Sequence, residues 1–159
     1  MKIFASNLLI MSLFALVIAV SGCTQQEVEP DPADQVLGVY SGTTYTESIN
    51  GVAQSIDLTN ALIKDNITIS MDVAKKSASV VAIVLRISQR DSTGAMQTYT
   101  DTYDTIDLKV MGNGEYDMQN AGVSIGEVGN GLLKLQETYS DSDENGNELS
   151  VTVTIAAKK

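Results

Sequence analysis

Residues 145–155 read Asn-Gly-Asn-Glu-Leu-Ser-Val-Thr-Val-Thr-Ile, a turn dipeptide followed by a stretch of strict alternation. Successive side chains on a strand point to opposite faces, so Leu149, Val151, Val153 and Ile155 share one face and Ser150, Thr152 and Thr154 the other. Asn-Gly tolerates positive φ at both central positions of a type I′ turn, whose twist matches that of the strands it joins. The same two signals recur upstream. Asn50-Gly51, Asn113-Gly114 and Asn130-Gly131 repeat the turn, and Ala74-Lys75-Lys76-Ser77 and Asp91-Ser92-Thr93-Gly94 are further turn candidates. Between them Ile67, Ile69, Met71 and Val73 share a face, as do Val81, Ile83, Leu85 and Ile87, and Ile106, Leu108 and Val110. The fold class is all-β.

Topology follows from the turns. Successive tight hairpins place sequence neighbours side by side in an antiparallel up-and-down meander. Eight to ten strands so arranged lose their edges by closing into a barrel. The alternative, a β-sandwich, needs a long return connection. Only Thr59–Asp65, with room for one helical turn at Ala61-Leu62-Ile63, and Gln119–Gly122 are candidates for it.

The N-terminus carries a different signal. Lys2 precedes an apolar run from Leu8 to Val20 broken only by Ser12, with Ser21 and Gly22 behind it, which defines a secretory signal peptide over residues 1–22. The run is short for a transmembrane helix, and no basic cluster follows it. Val20-Ser21-Gly22-Cys23 resembles the bacterial lipobox, in which the cysteine is acylated and becomes the first residue. That resemblance makes Cys23 the lipid-anchor residue. Cys23 is the single cysteine of the chain, and an anchor accounts for it. Each buried methylene contributes about 0.8 kcal/mol, so several acyl chains such as palmitate hold firmly where one does not. The expected protein is therefore lipid-anchored in the bacterial cell envelope, at the outer membrane, facing the periplasm or the surface.

Removing residues 1–22 leaves 137 of the 159 residues, and the loss of Lys2 takes the net charge from −10 to −11. Phosphate binding needs clustered Lys and Arg, so nucleic acid is excluded as a partner. Histidine is absent and no cysteine follows Cys23. Ser-His-Asp and Cys-His catalysis, thiolate chemistry and disulfides go with them, as does nearly all zinc, copper or haem ligation. Tryptophan is absent and both phenylalanines, Phe4 and Phe14, lie in the signal peptide, so the core is expected to be built from Val, Ile, Leu and Met. The segment from Cys23 to Gln35, with two prolines and four acids, reads as a flexible acidic tether. Residues 36–159 form a single domain. Glu27 and Glu29 near the acylated cysteine look like the surface-export signals of Bacteroidetes lipoproteins; a solvated linker explains them equally well.

Leu37-Gly38-Val39-Tyr40-Ser41-Gly42-Thr43, followed by Ile49-Asn50-Gly51-Val52, resembles the opening of the calycin-like, or lipocalin-like, lipoproteins of Bacteroidetes, whose first strand often reads Gly-x-Tyr-x-Gly. Typical lipocalins have Gly-x-Trp there, closing the barrel floor, and a Thr-Asp-Tyr element that Thr100-Asp101-Thr102-Tyr103 echoes in distorted form. The chain departs from that pattern in lacking tryptophan and an arginine near residue 159 to stack on the floor aromatic. The resemblance implies a barrel with a small-molecule cavity and brings no catalytic residue with it.

Three constellations carry chemistry by type. Asp141–Glu148 begins like a calcium loop, D-x-D-x-N-G, but Thr152 stands where a bidentate Glu is needed and strands replace the flanking helices. An acidic hairpin tip on Asn145-Gly146 is the competing reading and the preferred one. Asp101, Asp104 and Asp107 offer paired carboxylates, with Asp101 and Asp107 on the face of Tyr103, but without a positioned partner. Arg86, preceded on its face by Val80, Ala82 and Val84 and followed by Arg90, belongs either to a strand packed on both sides or to the mouth of a hollow barrel. The chain is therefore expected to be no enzyme, without metal or cofactor, and to bind a small or apolar ligand inside the barrel. A structural or assembly lipoprotein with no internal ligand is the alternative.

Overall fold

The computed structural model describes residues 29–159, so the expected signal peptide and the lipobox-like segment with Cys23 lie outside the described residues. The chain runs α1 (Pro32–Val36), β1 (Gly38–Ile49), β2 (Val52–Asp57), α2 (Ala61–Lys64), β3 (Ile67–Ser77), β4 (Val80–Arg90), β5 (Met96–Gly112), β6 (Glu115–Asn120), β7 (Val123–Gly129), β8 (Leu132–Ser142) and β9 (Glu148–Lys158). Eight antiparallel strands close in the order β1-β3-β4-β5-β6-β7-β8-β9, with β9 pairing back onto β1. This is an up-and-down barrel, consistent with a calycin-like one, and the sandwich alternative does not hold. The ninth strand, β2, pairs with β1 alone and is exposed along its length. β1 manages this by changing partners. Gly38–Ser41 pair with β3 and Thr44–Ile49 with β2. Gly42 lies at the changeover, where a Cβ would come within 2.9 Å of the Ile69 Cβ and 3.0 Å of the Leu58 Cδ1.

Turn chemistry largely follows the residues that demand it. Asn50-Gly51, Asn113-Gly114 and Asn130-Gly131 all have positive φ at both positions, as a type I′ turn requires. Three expectations fail. Ala74–Ser77 is not a turn; β3 runs through Ser77 and the chain reverses at Ala78-Ser79. Gln119–Gly122 is not a long connection but a tight hairpin, with Ala121 at φ +50° and Gly122 at +82°. Asn145 does not take positive φ, although Gly146 does. In that loop the Asp143 carboxylate instead accepts from the backbone N–H groups of Asn145 (2.9 Å) and Asn147 (2.8 Å) and from the Asn147 amide. Asp91 organises residues 91–95 the same way.

One end of the barrel is sealed. The tether was expected to reach Gln35, but Pro32–Val36 forms a helical turn that contacts β3, β5 and β7, and Ala33 and Val36 are fully buried. Proline suits the first helical position because its missing N–H has no partner there anyway. Lys75 Nζ clamps the turn through Asp31 (2.9 Å) and Asp34 (2.8 Å), and the Ala33 N–H bonds to the Ala78 carbonyl. Tyr40 fills the floor. It is fully buried, its hydroxyl donates to the Val36 carbonyl at 2.8 Å, and the Lys159 ammonium stands 5.2 Å above its ring. Lysine thus supplies the cation over the floor aromatic that the sequence lacked as arginine.

Above the floor Met71, Val81, Ile83, Ile106, Met118 and Leu133 pack with almost no exposure. Three tyrosines (Tyr40, Tyr103 and Tyr116) join these aliphatics, which were expected to fill the core without aromatic help. Leu149, Val151, Val153 and Ile155 face in as expected, whereas Val110, near the end of β5, is 73 % exposed.

Candidate functional site

The opposite end of the barrel is built from unequal strands. β6 and β7 are six and seven residues long, whereas β5 has seventeen and β8 eleven. β6 pairs with β5 only from Asp107 onward, and β7 pairs with β8 only as far as Leu135. Beyond those pairs, Met96–Ile106 on β5 and Gln136–Ser142 on β8 have no ladder partner on that side. A slot opens in the wall above the Ala121-Gly122 hairpin, and a groove of about 450 Å³ lies in it against Val123, Ile125, Glu137 and Tyr139.

Inside the slot is a chamber of about 250 Å³. Its aliphatic floor is Leu85, Ile87, Leu135, Val153 and Ile155, and its polar lining is Tyr45, Asp101, Tyr103, Glu137 and Tyr139. Glu137 and Tyr139 line both groove and chamber, so the two spaces meet there. Strand alternation explains the lining. The inward series Leu133, Leu135 continues into Glu137 and Tyr139, and the series on β1 resumes at Tyr45 after a register shift between Gly42 and Thr44. A cavity of 150 Å³ already holds benzene, so this chamber accepts a larger fragment.

The Tyr103 hydroxyl donates to Glu137 Oε1 at 2.8 Å, joining β5 to β8 across the gap. Burial, then the Glu137 hydrogen bond and the carboxylates of Glu137 and Asp101, push the Tyr103 hydroxyl far above the usual phenol range. Tyr45 is also raised, by burial first and then by Glu47 and Tyr139. Asp101 accepts from the Thr102 backbone N–H at 2.8 Å. Among the described residues the ion pairs are those of Lys75 with Asp31 and Asp34, so Asp101, Glu137 and Glu47 have no cationic partner.

The aspartates on β5 do not come together. Asp104 and Thr105 both lie opposite Ala82, a bulge between the Tyr103–Ile83 and Ile106–Val81 pairs. It reverses the alternation, so Asp101 and Tyr103 face in while Asp107 faces out beside Val80. The reading that put Asp101 and Asp107 on one face is overturned. Arg86 is not at a mouth either. It sits exposed on the outer face of β4 between Ser70 and Thr100. Arg90 holds the α2 segment to the β4–β5 loop, donating to the Gly94 carbonyl at 2.6 Å and the Asp65 carbonyl at 3.2 Å. At Asp141–Glu148 the Asp143 oxygens are taken up by their own loop, which is the hairpin geometry. Sequence reasoning missed Tyr45, Glu137 and Tyr139. The signal for the last two was an inward series that turns polar without losing its period.

A further cleft of about 340 Å³ lies at the seam where β1 leaves β3, beside Leu58, Thr59 and Lys64. It is separate from the chamber, sharing none of its lining. No protein-family model matches this chain, and no curated protein or solved structure matches it either.

Proposed function

We propose that this protein is a non-enzymatic, lipid-anchored protein of the bacterial cell envelope, resembling the lipocalin-like lipoproteins, that binds a small ligand in the open half of its barrel. The observation that carries the binding is the division of the interior. A packed floor closed by Tyr40 and Val36 supports a chamber of about 250 Å³ lined by aliphatics and tyrosines and open through the slot. A barrel serving only as a rigid module would have no reason to stop packing at Leu85 and Leu135. The anchor rests on Val20-Ser21-Gly22-Cys23.

Two experiments test the two halves of the proposal. Native mass spectrometry of the chain beginning at Thr24, which retains every described residue, should find a bound molecule or a saturable site for a neutral alkyl alcohol. A chain that takes up nothing refutes the binding reading. Metabolic labelling with a fatty-acid analogue should mark the wild type and not Cys23→Ala, and equal labelling refutes the anchor.

The assembly reading has one observation in its favour. The unpaired edges Met96–Ile106 and Gln136–Ser142 offer backbone groups to a partner strand. Protection of those amides from hydrogen exchange only in cell extract would favour it over a small ligand.

A further inference from the structure

The ligand class is written in the charges that face the chamber. Resting on the binding reading above, we propose that the chamber takes an organic cation: an ammonium head carried on an aliphatic body.

The charged groups lining the chamber are both carboxylates, Asp101 on β5 and Glu137 on β8. Glu47 on β1 acts on Tyr45 from the same side. The described basic residues lie elsewhere. Lys64 and Lys158 line the outer seam, Lys75 and Lys159 hold the floor, and Arg86 and Arg90 are on the outer face of β4. Lys134 lines a separate polar groove beside Gln136, and Lys76 and Lys109 are exposed outside the chamber lining. Asp101 and Glu137 are exposed at the chamber, and a neutral ligand gains no attraction from either. An anion would add repulsion from both. An ammonium is attracted by both carboxylates and comes beside Tyr45, Tyr103 and Tyr139, residue types whose rings attract cations. The aliphatic body then lies on Leu85, Ile87, Leu135, Val153 and Ile155. Glu137 and Tyr139, shared between chamber and slot, place the head where a ligand passes from one to the other.

The test is calorimetric titration of the chain beginning at Thr24 with octyltrimethylammonium, octanol and octanoate at low salt. The cation should bind at least tenfold more tightly than octanol, and octanoate most weakly. Asp101→Asn/Glu137→Gln should cost the cation at least tenfold and abolish its advantage over octanol. Because Glu137 also holds Tyr103, Asp101→Asn alone is the second variant, with a smaller loss in the same direction. Asp107→Asn removes the same charge from the outer face and should leave all three affinities as they were. Octanol binding as well as the cation, or Asp107→Asn weakening the cation as much as Asp101→Asn, would overturn the cation proposal while leaving a small-ligand site in place. Failure of all three to bind overturns that site, and the cation proposal with it.

Discussion

Tyr103 and Glu137, thirty-four residues apart, meet at 2.8 Å across the stretch of barrel wall where β5 and β8 have lost their ladders to β6 and β7. The ladders that β6 and β7 make with these strands have ended here, and a phenol and a carboxylate join the two. Tyr103→Phe removes the bond with little change of shape. A hydrogen bond to a charged group contributes about 1.5–3 kcal/mol, and partial solvent access brings the expected loss to about 1–2 kcal/mol. Thermal unfolding should fall by several degrees, and amide exchange should rise first along Gln136–Ser142. Unchanged melting and exchange would mean the contact contributes nothing to closure.

The floor makes the protein sensitive to alkali. Burial pushes the Tyr40 hydroxyl up to about 12, and Tyr103 is also raised. A group whose folded pKa exceeds its unfolded value stabilises fully below the unfolded one, near 10 for tyrosine, and loses that contribution as pH rises through the folded value. Stability should therefore decline from about pH 10 to about pH 12. Tyr40→Phe, which also gives up the bond to the Val36 carbonyl, should start lower and decline less steeply. Urea midpoints at pH 9, 10, 11 and 12 would check both.

Acid acts through the two aspartate-capped loops. Hydrogen bonds from Thr93 and Gln97 lower Asp91 to about 2, and those from Asn147 lower Asp143. A depressed carboxylate stabilises above its unfolded pKa, near 4, and the contribution fades as pH falls through the folded value. Midpoints should drop between about pH 4 and about pH 2, less so in Asp91→Asn/Asp143→Asn. The same double variant addresses calcium. Melting should be indifferent to millimolar calcium or chelator in wild type and variant alike, and a calcium-dependent rise confined to the wild type would restore the metal reading of Asp141–Glu148.

Ala121 is the non-glycine, non-asparagine residue at positive φ among those described, at +50°. The left-handed region costs an ordinary L-residue about 1–2 kcal/mol, a cost that asparagine largely escapes. Ala121→Asn should stabilise by about 1 kcal/mol and raise the melting temperature by about 4 °C. A lower melting temperature would show that the methyl group has a packing role at the slot.

The all-β class and most inward faces were readable because period-two alternation depends on the chain's own geometry. What could not be read depended on partners. The slip at Asp104-Thr105, which turned Asp107 outward, is visible only against Ala82 on the neighbouring strand. Asn145 carried a strong turn signal, yet Asp143 set the loop by capping it at a different length. The hairpin at Ala121-Gly122 was hidden because alanine does not announce left-handed backbone. α1 was concealed in an acidic, proline-containing segment whose burial rests on Ala33 and Val36. The chamber was half legible. Asp101 and Tyr103 stood out by type, whereas Glu137 and Tyr139 belong to the site because the β7–β8 ladder ends at Leu135, short of them.

The clamp of Lys75 on Asp31 and Asp34 sets how the molecule would stand if Cys23 is the attached end. Eight residues, Thr24–Asp31, separate that cysteine from α1, a reach of at most about 28 Å even when fully drawn out. A pull along this leash arrives first at α1, under the sealed floor and at the far end from the slot. The load is taken up there by Lys75, Val36 and Tyr40, and Glu137 and Tyr103 are spared it. The barrel would then be moored by its base, with its slotted end turned away from the bilayer.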